Sequence, residues 1–232
     1  MPPFNSSRAY LEAFVRDASS RLPPGSRVLD AGAGDCRYGR WFDGHRYESA
    51  DLCTVDKPYG ELTYTCDLSA IPVNDGRFDA VVCTQVLEHV PEPETVLREL
   101  GRVLKPEGLL FLTVPLFYAE HEVPYDFQRF TRYGLERLLP LAGFEIERLD
   151  WLEGYLGTLS YQAKGAAAAL PRWADAKRHK LLAPLLPVSA LLRAGLDGLS
   201  DVLGRADMRV KVTDRGYCKN YAVVAKKRSA RE

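Results

Sequence analysis

The stretch VLDAGAGDCRYG at 28–39 sets an acid and two glycines, Asp30, Gly32 and Gly34, at the end of a short apolar run. Glycines at a strand-to-helix turn let a ligand approach the backbone closely. A helix starting in 35–43, with Asp35 in its first turn, would present free N–H groups and a positive dipole end. A phosphate or a carboxylate suits such an end. The dinucleotide fingerprint GxGxxG asks for a third glycine, and Arg37 stands in its place. Asp30, two residues before the first glycine, would repel a diphosphate and attract an ammonium group. The expected ligand therefore carries both an ammonium and a carboxylate.

A second set of polar residues lies downstream. His89 follows the strand-like run FDAVVCTQ in VLEHV, and 115–135, PLFYAEHEVPYDFQRFTRYGL, gathers His121, Glu122, Tyr125, Asp126 and Arg129 among aromatics. That is more polarity than a simple connector needs. His89 and His121 are the candidate catalytic residues, since imidazole is the commonest proton acceptor near neutral pH. Tyr125, Asp126 and Arg129 are the candidate acceptor contacts. Structural roles compete with these. Glu88-His89 suits a helix start that braces the loop, Asp126 can pair with Arg129, and Phe127 and Phe130 suit a core. His121, Glu122 and Asp126 are metal-ligand types, but nothing in their spacing fixes a geometry, and no metal is expected.

The elements that would carry these residues alternate. An amphipathic helix over 5–21, with Ser6 or Ser7 as cap, ends at Pro23-Pro24-Gly25. RVLDAGAG (27–34), YESAD (47–51), TYTCDL (63–68), FDAVVCTQ (78–85), GLLFLTVP (108–115), FEIERLD (144–150) and GYCKNYAVVAKK (216–227) read as strands. Helices are expected over 92–104 and 131–142, the latter capped by Thr131 and stopped by Gly143. Strands alternating with helices imply a Rossmann-like α/β fold, a doubly wound, mostly parallel seven-stranded sheet. Residues 152–210 break the rhythm with Ala, Leu and basic residues. Leu185, Val188, Leu192, Leu196, Leu199 and Leu203 follow helical spacing, which predicts a helical insertion before the last strand. The chain reads as a single domain, 1–232, with an N-terminal helical segment 1–24 and the insertion as lid or dimer face.

In this order the segments resemble class I S-adenosylmethionine-dependent methyltransferases, in particular the type 11-like small-molecule enzymes. DAGAG looks like the family's first motif. Asp51, 17 residues beyond Gly34, resembles the acid that holds both ribose hydroxyls, with Asp56 a second candidate. Asp67-Leu68 resembles the adenine segment. FDAVVCTQVLEHV resembles the strand and loop at the methionine end, which places Thr84 and Gln85 beside the donor. GRVLKPEGLLFLTVP matches the family's helix-turn-strand pattern, and 115–135 resembles an HxxPxDFxRxT stretch of a subgroup associated with glycan and secondary-metabolite pathways. The resemblance implies S-adenosylmethionine as cofactor, S-adenosylhomocysteine as product and a small-molecule acceptor; the histidine and acid candidates favour methylation on oxygen over nitrogen or carbon. A nucleotide-binding oxidoreductase is disfavoured by Asp30 and Arg37. A non-catalytic adenosylmethionine-binding protein of the same fold is the other alternative.

Charge and cysteine usage narrow the setting. Lys plus Arg equals Asp plus Glu at 31 each, so the basic field of a nucleic-acid binder is absent. Five scattered cysteines without CxxC spacing fit a reducing cytoplasm, and most are expected to be buried. No signal peptide is read in MPPFNSSRAYLEAF, and no run reaches the roughly 18 apolar residues of a membrane span. The basic, leucine-rich insertion leaves peripheral membrane contact and a homodimer as further expectations.

Overall fold

In the computed structural model, which describes residues 6–229, the apolar runs become seven strands of one sheet. They are β1 (Arg27–Ala31), β2 (Arg46–Asp51), β3 (Tyr64–Thr65), β4 (Phe78–Thr84), β5 (Leu104–Pro115), β6 (Phe144–Trp151) and β7 (Asn220–Lys227). The spatial order is β3-β2-β1-β4-β5-β7-β6. β1 to β5 pair in parallel, and β7 runs antiparallel between β5 and β6. The strand order reverses between β1 and β4. The crevice at the carboxyl ends of these strands is where open α/β sheets bind ligands.

β4 is buried along nearly its whole length, as its unbroken apolar run requires of a parallel strand covered on both faces. Helix α1 (Ser6–Ser20) brings Phe14, Val15 and Ala18 onto Val28, Val82 and Phe111. Phe14 meets Phe111 edge to face at 6.2 Å. Helix α2 (Pro93–Val103) starts with proline at its first turn and buries Val96, Leu97, Leu100 and Val103. Helix α3 (Arg132–Leu141) is capped by Thr131, whose hydroxyl accepts the Gly134 N–H at 3.1 Å. Gly143 ends it with φ +88°, a left-handed conformation that glycine adopts without strain.

Four sequence expectations need correction. No α-helix forms in 35–43, only a 3-10 turn at Gly39–Phe42, because Gly34 and Cys36 both take positive φ. β3 is two residues long. β5 begins at Leu104 rather than at 108, taking in Lys105-Pro106-Glu107 through an irregular register against β4. The last strand starts at Asn220, not 216. Of the cysteines, Cys83 and Cys218 are buried, while Cys36, Cys53 and Cys66 are partly exposed, and no disulfide joins any of them among the described residues. The expected helix and basic tail at the two termini extend outside the described residues.

The chain divides into two compact units. Tyr10–Leu152 with Asn220–Glu232 contains the sheet. Met1–Ala9 with Glu153–Lys219 contains α4 (Tyr155–Ala169), α5 (Trp173–Arg178) and α6 (Leu186–Asp207). α4 and α6 join through small residues: the Ser160 hydroxyl donates to the Ser200 carbonyl at 2.7 Å, and the Ser200 hydroxyl returns to the Ser160 carbonyl at 2.9 Å. The buried Asp207 carboxylate accepts the Gly154 N–H at 3.0 Å. The leucine stripe is therefore not the packed face. Leu185, Val188, Leu192 and Leu199 are exposed, because the small face is the one that lets the two helices approach. Among the described residues no helix is long and apolar enough to cross a membrane.

Phe111 is fully buried between β4 and α1. Phe111→Ala should destabilise the chain by about 3–5 kcal/mol, measured by denaturant unfolding. A cost below about 1 kcal/mol would mean that α1 does not close this core.

Candidate functional site

A cavity of about 450 Å³ opens at the strand reversal. Gly32, Asp51, Leu52, Asp67, Leu68, Gln85 and Val86 form one side, and His89, Glu92, Val96, Glu122, Tyr125 and Phe127 form another.

The chain leaves β1 through Gly32 at φ +81°. A Cβ there would lie 2.2 Å from the Val86 Cγ2, so the position admits no side chain. The N–H groups of Gly32 and Ala33 both donate to the Ala50 carbonyl, at 2.8 and 3.1 Å. Gly34 N–H donates to Asp51 Oδ2 at 2.9 Å, and Cys53 N–H donates to Oδ1 at 3.0 Å. The loop amides are thus committed to β2. The free helix terminus expected from the sequence does not exist, and what remains is an acid fixed at the cavity wall. A carboxylate has about four acceptor sites, so two stay open for a ligand.

The wall at Asp67-Leu68 is held from behind. Ser69 N–H donates to Asp67 Oδ1 at 2.8 Å. Glu99 accepts the Ile71 N–H at 2.7 Å, and Arg102 donates to the Ile71 and Val73 carbonyls at 2.9 and 2.8 Å. Both residues belong to α2, so that helix positions this wall. Gln85 follows β4 with φ +57°, its side chain donating to Thr113 at 3.2 Å. Cys53 and Glu122 also have positive φ. Left-handed non-glycine residues therefore cluster around the cavity, as they do at functional sites.

Not every expected residue reaches the wall. Asp56 is exposed and outside it. Thr84 is buried at the end of β4 beside the Tyr38 hydroxyl. Asp30 is buried in β1, where Tyr47 donates to it at 2.7 Å. Burial pushes its carboxyl up to about 7; the Tyr47 hydrogen bond opposes this, and the negative charges of Asp51 and Asp35 add to it. His121, Asp126 and Arg129 stand behind the wall. Asp126 takes a bidentate pair from Arg129 at 2.6 and 2.8 Å and accepts the His121 backbone N–H at 2.8 Å. Arg129 holds this carboxyl well below the usual carboxylate range. Of the two phenylalanines expected in the core, Phe130 is buried but Phe127 is half-exposed and lines the cavity.

Two histidines meet at this end. His89 Nε2 lies 3.1 Å from His121 Nε2. His89 Nδ1 is 2.6 Å from the Tyr125 carbonyl. His121 Nδ1 is 3.2 Å from Asp126 Oδ2, off the line of a hydrogen bond. Burial lowers the His89 pKa below the usual histidine range; the Tyr125 carbonyl and Glu122 oppose this. Sequence reading missed Glu88, which is fully buried with neither carboxylate oxygen hydrogen bonded. Burial raises it to about 8. The sequence signal was present, an acid directly before His89, but it read as a helix start that braces the loop. Lys57 was also missed. It donates to Glu122 at 2.7 Å across the cavity mouth. The titratable wall holds four acids, Asp51, Asp67, Glu92 and Glu122, against Lys57, which favours a cationic ligand.

A family model described as methyltransferase domain matches residues 5–149. A ubiquinone biosynthesis O-methyltransferase of Dechloromonas aromatica (strain RCB) is 35% identical over 105 residues, 38% of this chain and 44% of that protein. The match thus spans less than half the length of the curated relatives. Among solved structures, the [4+2]-cyclase SpnF aligns over 97% of this chain and 81% of its own, with TM-score 0.58 and 22% identity. The 1,6-didemethyltoxoflavin-N1-methyltransferase of Burkholderia thailandensis, solved with its substrate and S-adenosylhomocysteine, aligns over 94% and 80%, with TM-score 0.55 and 21% identity. At that identity the structural likenesses show the fold alone, and one of these two neighbours is described as a cyclase.

Glu88 has a stability signature. Its raised pKa means that the folded state keeps a proton the unfolded chain loses above about pH 4.5, so its contribution falls as pH rises from there to about 8. Glu88→Gln has no such proton. Its melting temperature should match the parent near pH 5 and exceed it near pH 8, by about 2–4 °C per kcal/mol. Parallel melting profiles across that range would show that Glu88 is not buried as a neutral acid.

Proposed function

We propose a function from one premise: the chain belongs to the methyltransferase domain family. It transfers a methyl group from S-adenosylmethionine to a hydroxyl of a small-molecule acceptor, leaving S-adenosylhomocysteine. The observation that carries this reading is the acid-walled cavity at the strand reversal, with Asp51 pinned between the Gly34 and Cys53 amides. Two open acceptor sites on that carboxylate suit a vicinal diol. Asp67 and the Leu68 backbone suit an adenine edge, against the apolar surfaces of Leu52, Leu68 and Val96. The excess of wall carboxylates suits a ligand carrying ammonium and sulfonium charges. Gly32 and Gln85 border this donor end, and Asp30 and Thr84 support it from the strands beneath. Asp30, poised near pH 7, is drawn to its ionised form by a nearby cation.

S-adenosylmethionine, when bound, supplies an electrophilic methyl group on a sulfonium that departs without needing a proton. What remains for the chain is to align the acceptor and take the proton of its hydroxyl. His89 faces the cavity for that task, and its lowered pKa keeps it unprotonated at neutral pH. His121, Asp126 and Arg129 form the support behind it, and Tyr125 and Phe127 give the acceptor an aromatic wall. The relative from Dechloromonas aromatica is a ubiquinone biosynthesis O-methyltransferase, which supports a phenolic or similar hydroxyl as the acceptor class. The apolar stripe exposed on α6 supports the insertion as an interaction face, for a second copy of the chain or for an apolar acceptor.

Incubation with methyl-labelled donor and a panel of hydroxylated aromatics should move label into one acceptor class. Failure to label any acceptor while the donor binds would favour the non-catalytic alternative. Asp51→Ala should raise the donor KM at least tenfold, about 1.4 kcal/mol. His89→Ala should lower kcat about 10²-fold or more with little change in donor KM. The parent rate should hold at pH 7 and fall in acid as His89 gains a proton. A rate that rises on acidification would exclude a neutral imidazole from the step.

A further inference from the structure

We propose that His89, His121 and Glu88 form a binding site for one divalent transition-metal cation at the acceptor end of the cavity. The facing imidazoles carry the inference. His89 Nδ1 lies against the Tyr125 carbonyl, which can only accept, so its hydrogen is on Nδ1 and its Nε2 bears the lone pair. His121 Nδ1 stands 3.2 Å from Asp126 Oδ2 without a hydrogen bond, so its Nε2 can carry either a hydrogen or a lone pair. These two Nε2 atoms confront each other at 3.1 Å. The His89 lone pair at that distance takes either a proton carried on the His121 Nε2 or a metal ion.

Glu88 separates the two readings. A shared proton leaves the buried Glu88 carboxyl without a function or a partner. A cation uses it. One ligand atom from each of Glu88, His89 and His121 lies within 4.8 Å of the other two. A cation about 2.1 Å from both imidazole nitrogens would see their 3.1 Å separation at roughly a right angle. Glu88 Oε1 is 4.0 Å from His89 Nε2, inside the reach of two such bonds, about 4.2 Å. Glu122 Oε2 is also 4.0 Å from that nitrogen and can add a fourth ligand, although Lys57 holds its other oxygen.

The surroundings match metal-bound histidine elsewhere. Such ligands pass their second N–H to a carbonyl or carboxylate, as His89 does to Tyr125, and Asp126, fixed by Arg129, stands 3.2 Å from the second nitrogen of His121. Two nitrogens and a carboxylate oxygen select Zn²⁺, Fe²⁺, Mn²⁺ or Co²⁺ over Mg²⁺ or Ca²⁺. Binding releases the Glu88 proton, because only the ionised carboxylate ligates. His89 and Glu122 border the cavity, which gives the ion an entry path and leaves open positions facing it. The role of the ion in catalysis rests on the methyl-transfer function proposed above, and in the metal-loaded chain it would replace His89 as the means of removing the proton: a hydroxyl that coordinates it becomes more acidic. The site itself does not depend on that function.

The test is titration of the chelator-treated full chain with Co²⁺, followed by visible absorption, with S-adenosylhomocysteine binding measured on the same sample. One equivalent should bind with d–d bands of a nitrogen- and oxygen-ligated ion, displaced by Zn²⁺. Glu88→Gln, which is isosteric and removes a buried acid, should weaken binding at least tenfold, and so should His121→Asn. Absence of a saturable site, a thiolate-to-cobalt charge-transfer band from Cys36, Cys53 or Cys66, or unchanged affinity in both variants would overturn the proposal. S-adenosylhomocysteine binding without cobalt binding rejects the cation site and keeps the methyl-transfer reading. Cobalt binding lost in Glu88→Gln, without S-adenosylhomocysteine binding, does the reverse.

Discussion

The Asp51 carboxylate holds two loops at once, and the cavity depends on that. One oxygen takes the amide of Gly34 and the other the amide of Cys53. The glycine loop after β1 and the segment after β2 are thereby fixed to one acid at the end of a parallel strand pair. Hydrogen bonds from amides to an ionised group are stronger than neutral ones and leave less play. Gly32 completes the arrangement, since Val86 fills the space its side chain would take. Without that close approach of the loop to the end of β4, the two walls of the cavity could not converge.

The opposite end is organised by burial rather than by backbone. Asp126 sits almost wholly buried, balanced by Arg129, and orders the segment that carries His121. Glu88 has no such balance. Both of its oxygens are buried without a side-chain partner, so desolvation outweighs its own backbone amide and the Arg129 charge and favours the neutral acid. An arrangement this unfavourable, directly before the cavity-lining His89, is how functional sites differ from structural ion pairs. The Asp51 end of the cavity is thus held by satisfied hydrogen bonds, while the Glu88-His89 end keeps unpaired polar groups.

The fold was legible because its signals are local and strong. The unbroken apolar run of β4, the proline start of α2, the Thr131 cap and the Gly143 stop each specify their element through neighbours in sequence. That Gly32, Asp51, Asp67 and Gln85 line one cavity was legible for a related reason: they sit at or near strand ends, which the alternation locates. The expected helix over 35–43 failed because positive φ at Gly34 and Cys36 turns the chain, and propensity does not register a residue's φ. The acceptor end was half legible. His89 and His121 stood out as residue types, but their pairing links positions 32 apart in the sequence. Glu88 was lost because burial is a tertiary property, and an acid beside a histidine ordinarily faces water. In α6 the periodicity was read correctly and its direction was not, since small polar residues there pack more closely than leucines.

The central claim is that this cavity takes an adenosyl ligand bearing an amino-acid group, and not a dinucleotide. Calorimetric titration of the full chain with S-adenosylhomocysteine, and separately with NADH, tests it directly. The account predicts a single saturable site for S-adenosylhomocysteine and no heat of binding from NADH. Saturable NADH binding with none from S-adenosylhomocysteine would contradict it.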